Sequence, residues 1–275
     1  MELTADLAIG VFDSGVGGLT VLDELLARLP AEDFLYFGDT AWFPYGEKGD
    51  DQLRARAEEI SRWLLGQGVK LIVIACNTAT AAAAEHLQRV LEVPVIGVMT
   101  PEAHAAVLTT RNRRVGLLAT EATVRSGSYA RMVRAHDAGV ELVSVPCPLL
   151  APAIQSGDPF DERIMEMVRE YTAPLREAGV DTVILGCTHY PMVERLLRRS
   201  LPGVTLITSG EELAREVHDS LRRRDLLRAT GTEGDYRFAC SGDPAAFREL
   251  GSRFLQMPLG VVEQVLGGAP ERAVG

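Results

Sequence analysis

The sequence predicts an α/β protein made of two similar α/β domains with mainly parallel sheets, and two observations carry that expectation. Short apolar runs rich in β-branched residues alternate with helical stretches along the chain, the pattern of βα units. One run, Leu71-Ile72-Val73-Ile74-Ala75-Cys76-Asn77-Thr78, has an echo in Thr182-Val183-Ile184-Leu185-Gly186-Cys187-Thr188-His189. Each ends in a small residue, a cysteine and a hydrogen-bonding residue. The two cysteines stand about 110 residues apart, roughly one domain. Such runs read as buried parallel strands, and open α/β sheets hold ligands beyond the carboxyl ends of their strands. The arrangement to test is a shared crevice with one thiol from each half.

Leu7 to Phe12 reads as a first strand, followed by the turn Asp13-Ser14-Gly15-Val16-Gly17-Gly18 and a helix from Leu19 to Leu29 that Pro30 stops. Such a turn can gather backbone N–H groups around an anion. It lacks the Lys-Ser/Thr ending of a phosphate loop and the spacing of a dinucleotide fingerprint. A plain alternative for Asp13 and Ser14 is capping the helix. Phe34 to Asp39 is a second strand. The loop from Thr40 to Gly49 is too rich in Gly, Pro and aromatic residues for a regular element. Its Trp42 and Tyr45 either wall a crevice or pack at a domain edge. A helix over Asp51–Leu65 precedes the first cysteine strand, and another over Thr78–Val90 follows it. Cys76 and Asn77 thus sit at a strand-to-helix turn, where the helix dipole favours a thiolate. Val93 to Val98 is a further strand, and Met99-Thr100-Pro101 is the first crossing between halves.

The pattern then restarts. Arg114 to Ala119 is a strand, Thr120 to Ser126 a turn, Tyr129 to Ala135 a helix and Val140 to Val145 a strand, with Cys147 between Pro146 and Pro148. Leu149–Ile154 and Phe160–Glu177 are helical in character. After the second cysteine strand come a helix over Pro191–Arg199, a strand over Val204–Thr208 and a helix over Glu211–Arg224. The strand Tyr236–Cys240 and the helix Pro244–Leu255 close the chain.

Composition narrows the function classes. Of the 275 residues, 47% are hydrophobic and 24% charged, an ordinary globular profile. A net charge of −10 argues against a nucleic-acid surface, and the densest basic cluster, Arg222 to Arg224, reads as a solvated helix face. No leader pattern and no membrane-length apolar run is visible, so a cytoplasmic protein without membrane association is expected. In that compartment Cys76, Cys147, Cys187 and Cys240 read as free thiols. The two lysines, Lys48 and Lys70, are poorly set for a Schiff base, so no cofactor is expected.

Three readings of the cysteines follow. Cys76 and Cys187 could be opposed base and acid at a carbon centre, because a thiol near its ordinary pKa of about 8.5 can both take and give a proton. Asp13 and His189 would then handle the thiol protons. Cys187, His189 and Cys147 could hold zinc, although Cys-x-His lacks the paired clips of structural zinc sites. A binding module with merely buried cysteines is the third, and it accounts well for Cys240 but poorly for a matched pair.

At this point the residues resemble a known family. Phe12-Asp13-Ser14-Gly15-Val16-Gly17-Gly18-Leu19-Thr20-Val21, Pro44-Tyr45-Gly46, Ala75-Cys76-Asn77-Thr78-Ala79 and Gly186-Cys187-Thr188-His189-Tyr190-Pro191 look like the glutamate racemases. So do Gly116 to Val124 and Cys147-Pro148. The wider superfamily includes aspartate racemases, and the Asp-Ser-Gly-Val-Gly-Gly opening resembles the glutamate branch. The resemblance implies cofactor-independent interconversion of L- and D-glutamate, supplying D-glutamate for peptidoglycan, cell-wall biogenesis and cell shape, in a homodimer with no metal. By similarity Cys76 and Cys187 are the acid/base residues, Cys76 acting on D-glutamate and Cys187 on L-glutamate, with Asp13 and His189 as helpers. Asp13, Ser14, Tyr45, Gly46, Asn77, Thr78, Thr188 and His189 match substrate-contacting positions. The implied domains are residues 1–99 with 210–275, carrying Cys76, and residues 100–209, carrying Cys187, related by a pseudo-twofold axis with the active site in the cleft between them. One departure is Gln155, where many relatives carry a glutamate.

Overall fold

The computed structural model describes residues 3–157, 161–229 and 231–266. In chain order the first elements are β1 (Ala8–Asp13), α1 (Leu19–Arg28), β2 (Phe34–Gly38), α2 (Asp50–Gly66), β3 (Val69–Ile74), α3 (Asn77–Val90) and β4 (Val95–Gly97). After them come α4 (Met99–Thr109), β5 (Arg114–Ala119), α5 (Glu121–Ser126), α6 (Ser128–His136), β6 (Glu141–Pro146), α7 (Leu150–Ser156), α8 (Glu162–Ala178) and β7 (Thr182–Gly186). The last elements of the described residues are α9 (Glu194–Ser200), β8 (Thr205–Ile207), α10 (Gly210–Arg223), β9 (Tyr236–Cys240), α11 (Pro244–Leu255) and β10 (Val262–Gln264). Among these residues no helix is long and apolar enough to cross a membrane.

The strands form two sheets, β10-β9-β2-β1-β3-β4 and β6-β5-β7-β8, and every pairing is parallel. The sequence echo now has a topological meaning. The four-strand order β2-β1-β3-β4 repeats as β6-β5-β7-β8, so the strands that lead into Cys76 and Cys187 are equivalent. In each sheet the strand before the thiol lies beside the first strand of its half, where successive crossovers leave in opposite directions. Such switch points open a crevice at the strand ends.

Side-chain alternation places the cores. On β1, Ile9 and Val11 face a core shared with α1, α10 and the second sheet, while Ala8 and Phe12 face a separate core under α2 and α3. β3 divides likewise, with Leu71 and Val73 on the first side and Ile72 and Ile74 on the other. These strands are buried on both faces, which is why they read as unbroken apolar runs. Each buried Ile, Val or Leu contributes roughly 1.5–3 kcal/mol of transfer free energy. The three arginines from Arg222 to Arg224 are exposed at the end of α10, where positive charge complements the helix dipole.

Several elements differ from the sequence reading: a short 3-10 helix, Tyr45–Glu47, lies in the loop read as irregular, and the helix expected over Pro191–Arg199 is split into a 3-10 turn, Tyr190–Val193, and α9. Met99-Thr100-Pro101 opens α4 instead of forming a bare crossing, and Pro101 is tolerated because the N–H it lacks belongs to the unpaired first turn. The turn expected over 120–126 contains α5, whose N-cap Thr120 accepts from the Thr123 N–H at 3.3 Å. The three-residue edge strand β10 was not foreseen. Phe160, at the start of an expected helix, and residues 267–275 of the returning segment lie outside the described residues, and that helix is observed from Glu162 as α8.

Candidate active site

The carboxyl ends of the two sheets face one crevice. Ser14, Tyr45, Gly46, Cys76, Asn77 and Thr78 line it from the first sheet, and Cys187, Thr188 and His189 from the second. All the sequence-derived site residues but Asp13 are therefore on its wall. Asp13, the last residue of β1, is fully buried and joins the two halves, since its carboxylate accepts from Thr188 Oγ1 at 3.3 Å. Residues that the sequence reading did not assign to the site complete the wall, among them Phe43, Thr120, Glu121 and Pro148. Thr120 had a readable signal, because it follows a strand end and caps a helix as the Cys76 turn does.

The glycine-rich turn differs from the anion cradle expected of it. Its Gly15 N–H donates to Asp13 Oδ2 at 2.9 Å, and the Ser14 and Gly18 N–H groups also serve Asp13. The anion of this turn is the chain's own carboxylate. Asp13 is not the N-cap of α1 either; that residue is Gly18, whose own position offers no capping side chain. Gly17 has a separate reason to lack a side chain: a Cβ there would lie 2.5 Å from both His189 Nδ1 and Thr188 Oγ1. The two walls meet at that point.

Each thiol has a polar neighbour. The Cys76 thiol donates to Ser14 Oγ at 3.6 Å, and Cys187 Sγ lies 3.8 Å from His189 Nδ1. His189 Nε2 in turn lies 2.9 Å from Gln155 Oε1. Donation to that amide oxygen fixes the tautomer, with the proton on Nε2 and the Nδ1 lone pair facing the thiol. Gln155 thus takes a place beside His189, held between the rings of Phe43 and Phe254 at 5.5 Å each.

Burial dominates the electrostatics. It pushes the Cys76 thiol up to about 12, helped by the nearby Asp13 charge. Burial also raises Cys187 well above the ordinary thiol value. The helix N-terminus at Cys76 therefore does not produce the low thiol pKa expected from position alone; desolvation outweighs it. Burial lowers His189 to about 4, so its ring is neutral near pH 7. The Asp13 carboxyl is raised, again by burial, against the pull of its hydrogen bonds.

The loop between β2 and α2 is pinned from behind. Arg56 forks onto Asp39 at 2.9 and 2.7 Å, and Tyr45 donates its hydroxyl to the same carboxylate at 2.5 Å. Tyr45 consequently offers the crevice its ring and backbone, not its hydroxyl. Across the crevice, Thr78 Oγ1 meets Thr120 Oγ1 at 2.8 Å and Thr123 Oγ1 at 3.2 Å. Cys147 turns its thiol to the Val145 carbonyl at 3.5 Å, and Cys240 turns to that of Gly242 at 3.5 Å. Among the described residues no three His, Cys, Asp or Glu side chains gather as metal ligands. Lys70 is buried against Glu32 at 2.6 Å, outside the crevice.

The comparisons with known proteins agree with one another. The family model described as Asp/Glu/Hydantoin racemase matches residues 9–217. The glutamate racemase of Geobacter metallireducens is 46% identical over 94% of this chain and 96% of its own length. Glutamate racemase isoform RacE1 of Bacillus anthracis superposes with a TM-score of 0.91 at 35% identity, over 94% of this chain and 97% of that one. The glutamate racemase of Francisella tularensis, solved in complex with D-glutamate, gives 0.89 at 34% identity, over 95% and 98%. The chain belongs to the Asp/Glu/hydantoin racemase family, on its glutamate racemase branch.

Proposed function

We propose that the chain is a cofactor-independent racemase that interconverts L- and D-glutamate, with Cys76 and Cys187 acting on opposite faces of the α-carbon. The observation that carries this reading is the pair of thiols at equivalent strand ends on the two sides of one crevice. The Cys76 thiolate takes the α-proton of D-glutamate, and the Cys187 thiol gives its proton to the opposite face. One C–H bond breaks and another forms at the same carbon. The enzyme is left with Cys76 protonated and Cys187 as thiolate, which is the state that accepts L-glutamate. The D-glutamate complex of the Francisella relative supports the choice of substrate.

Burial suits this chemistry. A thiol pushed up to about 12 ionises rarely, but its thiolate is a stronger base toward a weakly acidic C–H than an exposed one. His189 Nδ1 handles the Cys187 proton and Asp13 that of Cys76. Ser14, Tyr45, Gly46, Asn77, Thr78, Thr188 and His189 hold the substrate. Hydroxyl and backbone N–H donors among these residues stabilise charge at the carboxylates as the carbanion develops, and exclusion of water strengthens those bonds. The proposal extends to a cytoplasmic homodimer that supplies D-glutamate for peptidoglycan and cell shape. It also includes domains of residues 1–99 with 210–275 and of residues 100–209, which the membership of the two sheets supports.

The test follows optical rotation of L-glutamate with chelator present and no added cofactor, for the native chain, Cys76→Ser and Cys187→Ser. Racemisation by the native chain and a loss of at least a hundredfold in each variant are expected. Glutamate binding without racemisation in the native chain would leave a binding module instead.

A further inference from the structure

Beneath Asn77 lies a buried carboxyl with no place in the chemistry above. Glu102, in the first turn of α4, is fully buried and collects donors from α3, α6 and the N-cap of α10. Asn77 Nδ2 donates to Glu102 Oε2 at 2.9 Å and also to the Tyr129 hydroxyl at 2.7 Å. Tyr129 donates to the same Oε2, and Ser209 Oγ donates to Oε1. Both protons of the Asn77 amide nitrogen are thereby spent. Its Oδ1 is buried and meets no hydrogen-bond partner among the described residues, although Asn77 is a wall residue of the crevice. Orphaned buried acceptors are rare, so one beside a ligand crevice points to a ligand donor.

We propose that Glu102 is a positioning residue that locks the Asn77 amide with Nδ2 turned away from the crevice, leaving Oδ1 as the acceptor for the substrate's ammonium group. The inference rests on the glutamate reading above and adds to it how the amino group is recognised. A substrate carboxylate, itself an acceptor, cannot satisfy Oδ1; only a donor can, and the ammonium is the donor that glutamate carries on its α-carbon. The lock holds in either ionisation state of Glu102. Burial raises this carboxyl to about 8; when Oε1 carries a proton it donates that hydrogen bond to Ser209 Oγ, while Oε2 still accepts from Asn77 and Tyr129. Glu102→Gln can reproduce that pattern, with its amide oxygen toward Asn77 and its nitrogen toward Ser209. Glu102→Ala cannot.

The test compares two ligands that differ in the amino group. KM for D-glutamate and the inhibition constant of glutarate, the same dicarboxylate without the ammonium, are measured for the native chain, Glu102→Gln and Glu102→Ala. In Glu102→Ala the glutamate KM rises roughly tenfold or more, the loss of one charge-assisted hydrogen bond, while glutarate inhibition stays within about twofold, and Glu102→Gln stays close to native in both. Equal weakening toward both ligands, or no change in either, overturns the proposal. Should Glu102→Ala fail to fold, Tyr129→Phe removes the amide's other partner and shifts the same ratio in the same direction. An unmoved ratio there overturns the proposal equally. A native chain that does not turn over glutamate would instead count against the racemase reading itself.

Discussion

At the scale of single residues, position and burial pull the thiols in opposite directions. Cys76 sits at the N-terminus of α3, which favours a thiolate, yet its pKa is pushed up to about 12 because the thiol has lost its water. Cys187 is raised by the same cause. The proposed chemistry calls for a proton acceptor beside the thiol, and neutral His189 stands there, with Nδ1 3.8 Å away. Gln155 sets that tautomer without adding charge. Gln155→Glu would place a carboxylate against Nε2, favour the imidazolium and raise the His189 pKa from about 4. The direction follows from sign: a neighbouring negative charge stabilises the protonated ring. The histidine titration followed by NMR moves to higher pH by about one unit or more, and the acid limb of kcat/KM for L-glutamate moves with it. A titration that stays in place would show that Gln155 is not the partner of His189.

At the scale of elements, the loop after β2 depends on one buried ion pair. Asp39 is fully buried and Arg56 is nearly so, and the pair holds both Tyr45 and, through the guanidinium 4.9 Å over its ring, Trp42. Arg56→Met leaves the Asp39 charge uncompensated, and a loss of about 3–5 kcal/mol in urea unfolding is expected. A loss below 1 kcal/mol would mean that the loop is held by packing alone. The same loop marks the boundary of what the sequence could tell. Strand runs such as Leu71–Ile74 and Thr182–Leu185 were legible because both faces are buried, and the end of α1 was legible from Pro30. The helix α4 was not, because Pro101 reads as a breaker until its place in the first turn is known. Partners distant in sequence stayed hidden as well. Neither Arg56 with Asp39 nor Glu102 with Ser209 carries a local signal, and the depressed thiol pKa was expected because burial depth cannot be read from spacing.

For the molecule as a whole, the repeated strand order explains why two thiols line one crevice. Each half places its cysteine at the same topological point, and the halves are drawn together by Thr188 on Asp13, by Thr20 Oγ1 on the Thr188 carbonyl at 3.1 Å, and by the bare backbone of Gly17. This pairing of like strand ends is the arrangement on which the proposed two-sided chemistry rests. Two-sidedness is the central claim, and isotope exchange at early conversion tests it most directly. In deuterated water, proton NMR would follow the α-position of L-glutamate and of the D-glutamate formed, and then of the reverse reaction. Two bases predict that the first product carries deuterium in both directions while the unreacted substrate keeps its protium. Protium retained in the product, or deuterium entering the substrate before product forms, would mean that a single group works both faces, and the account would fail.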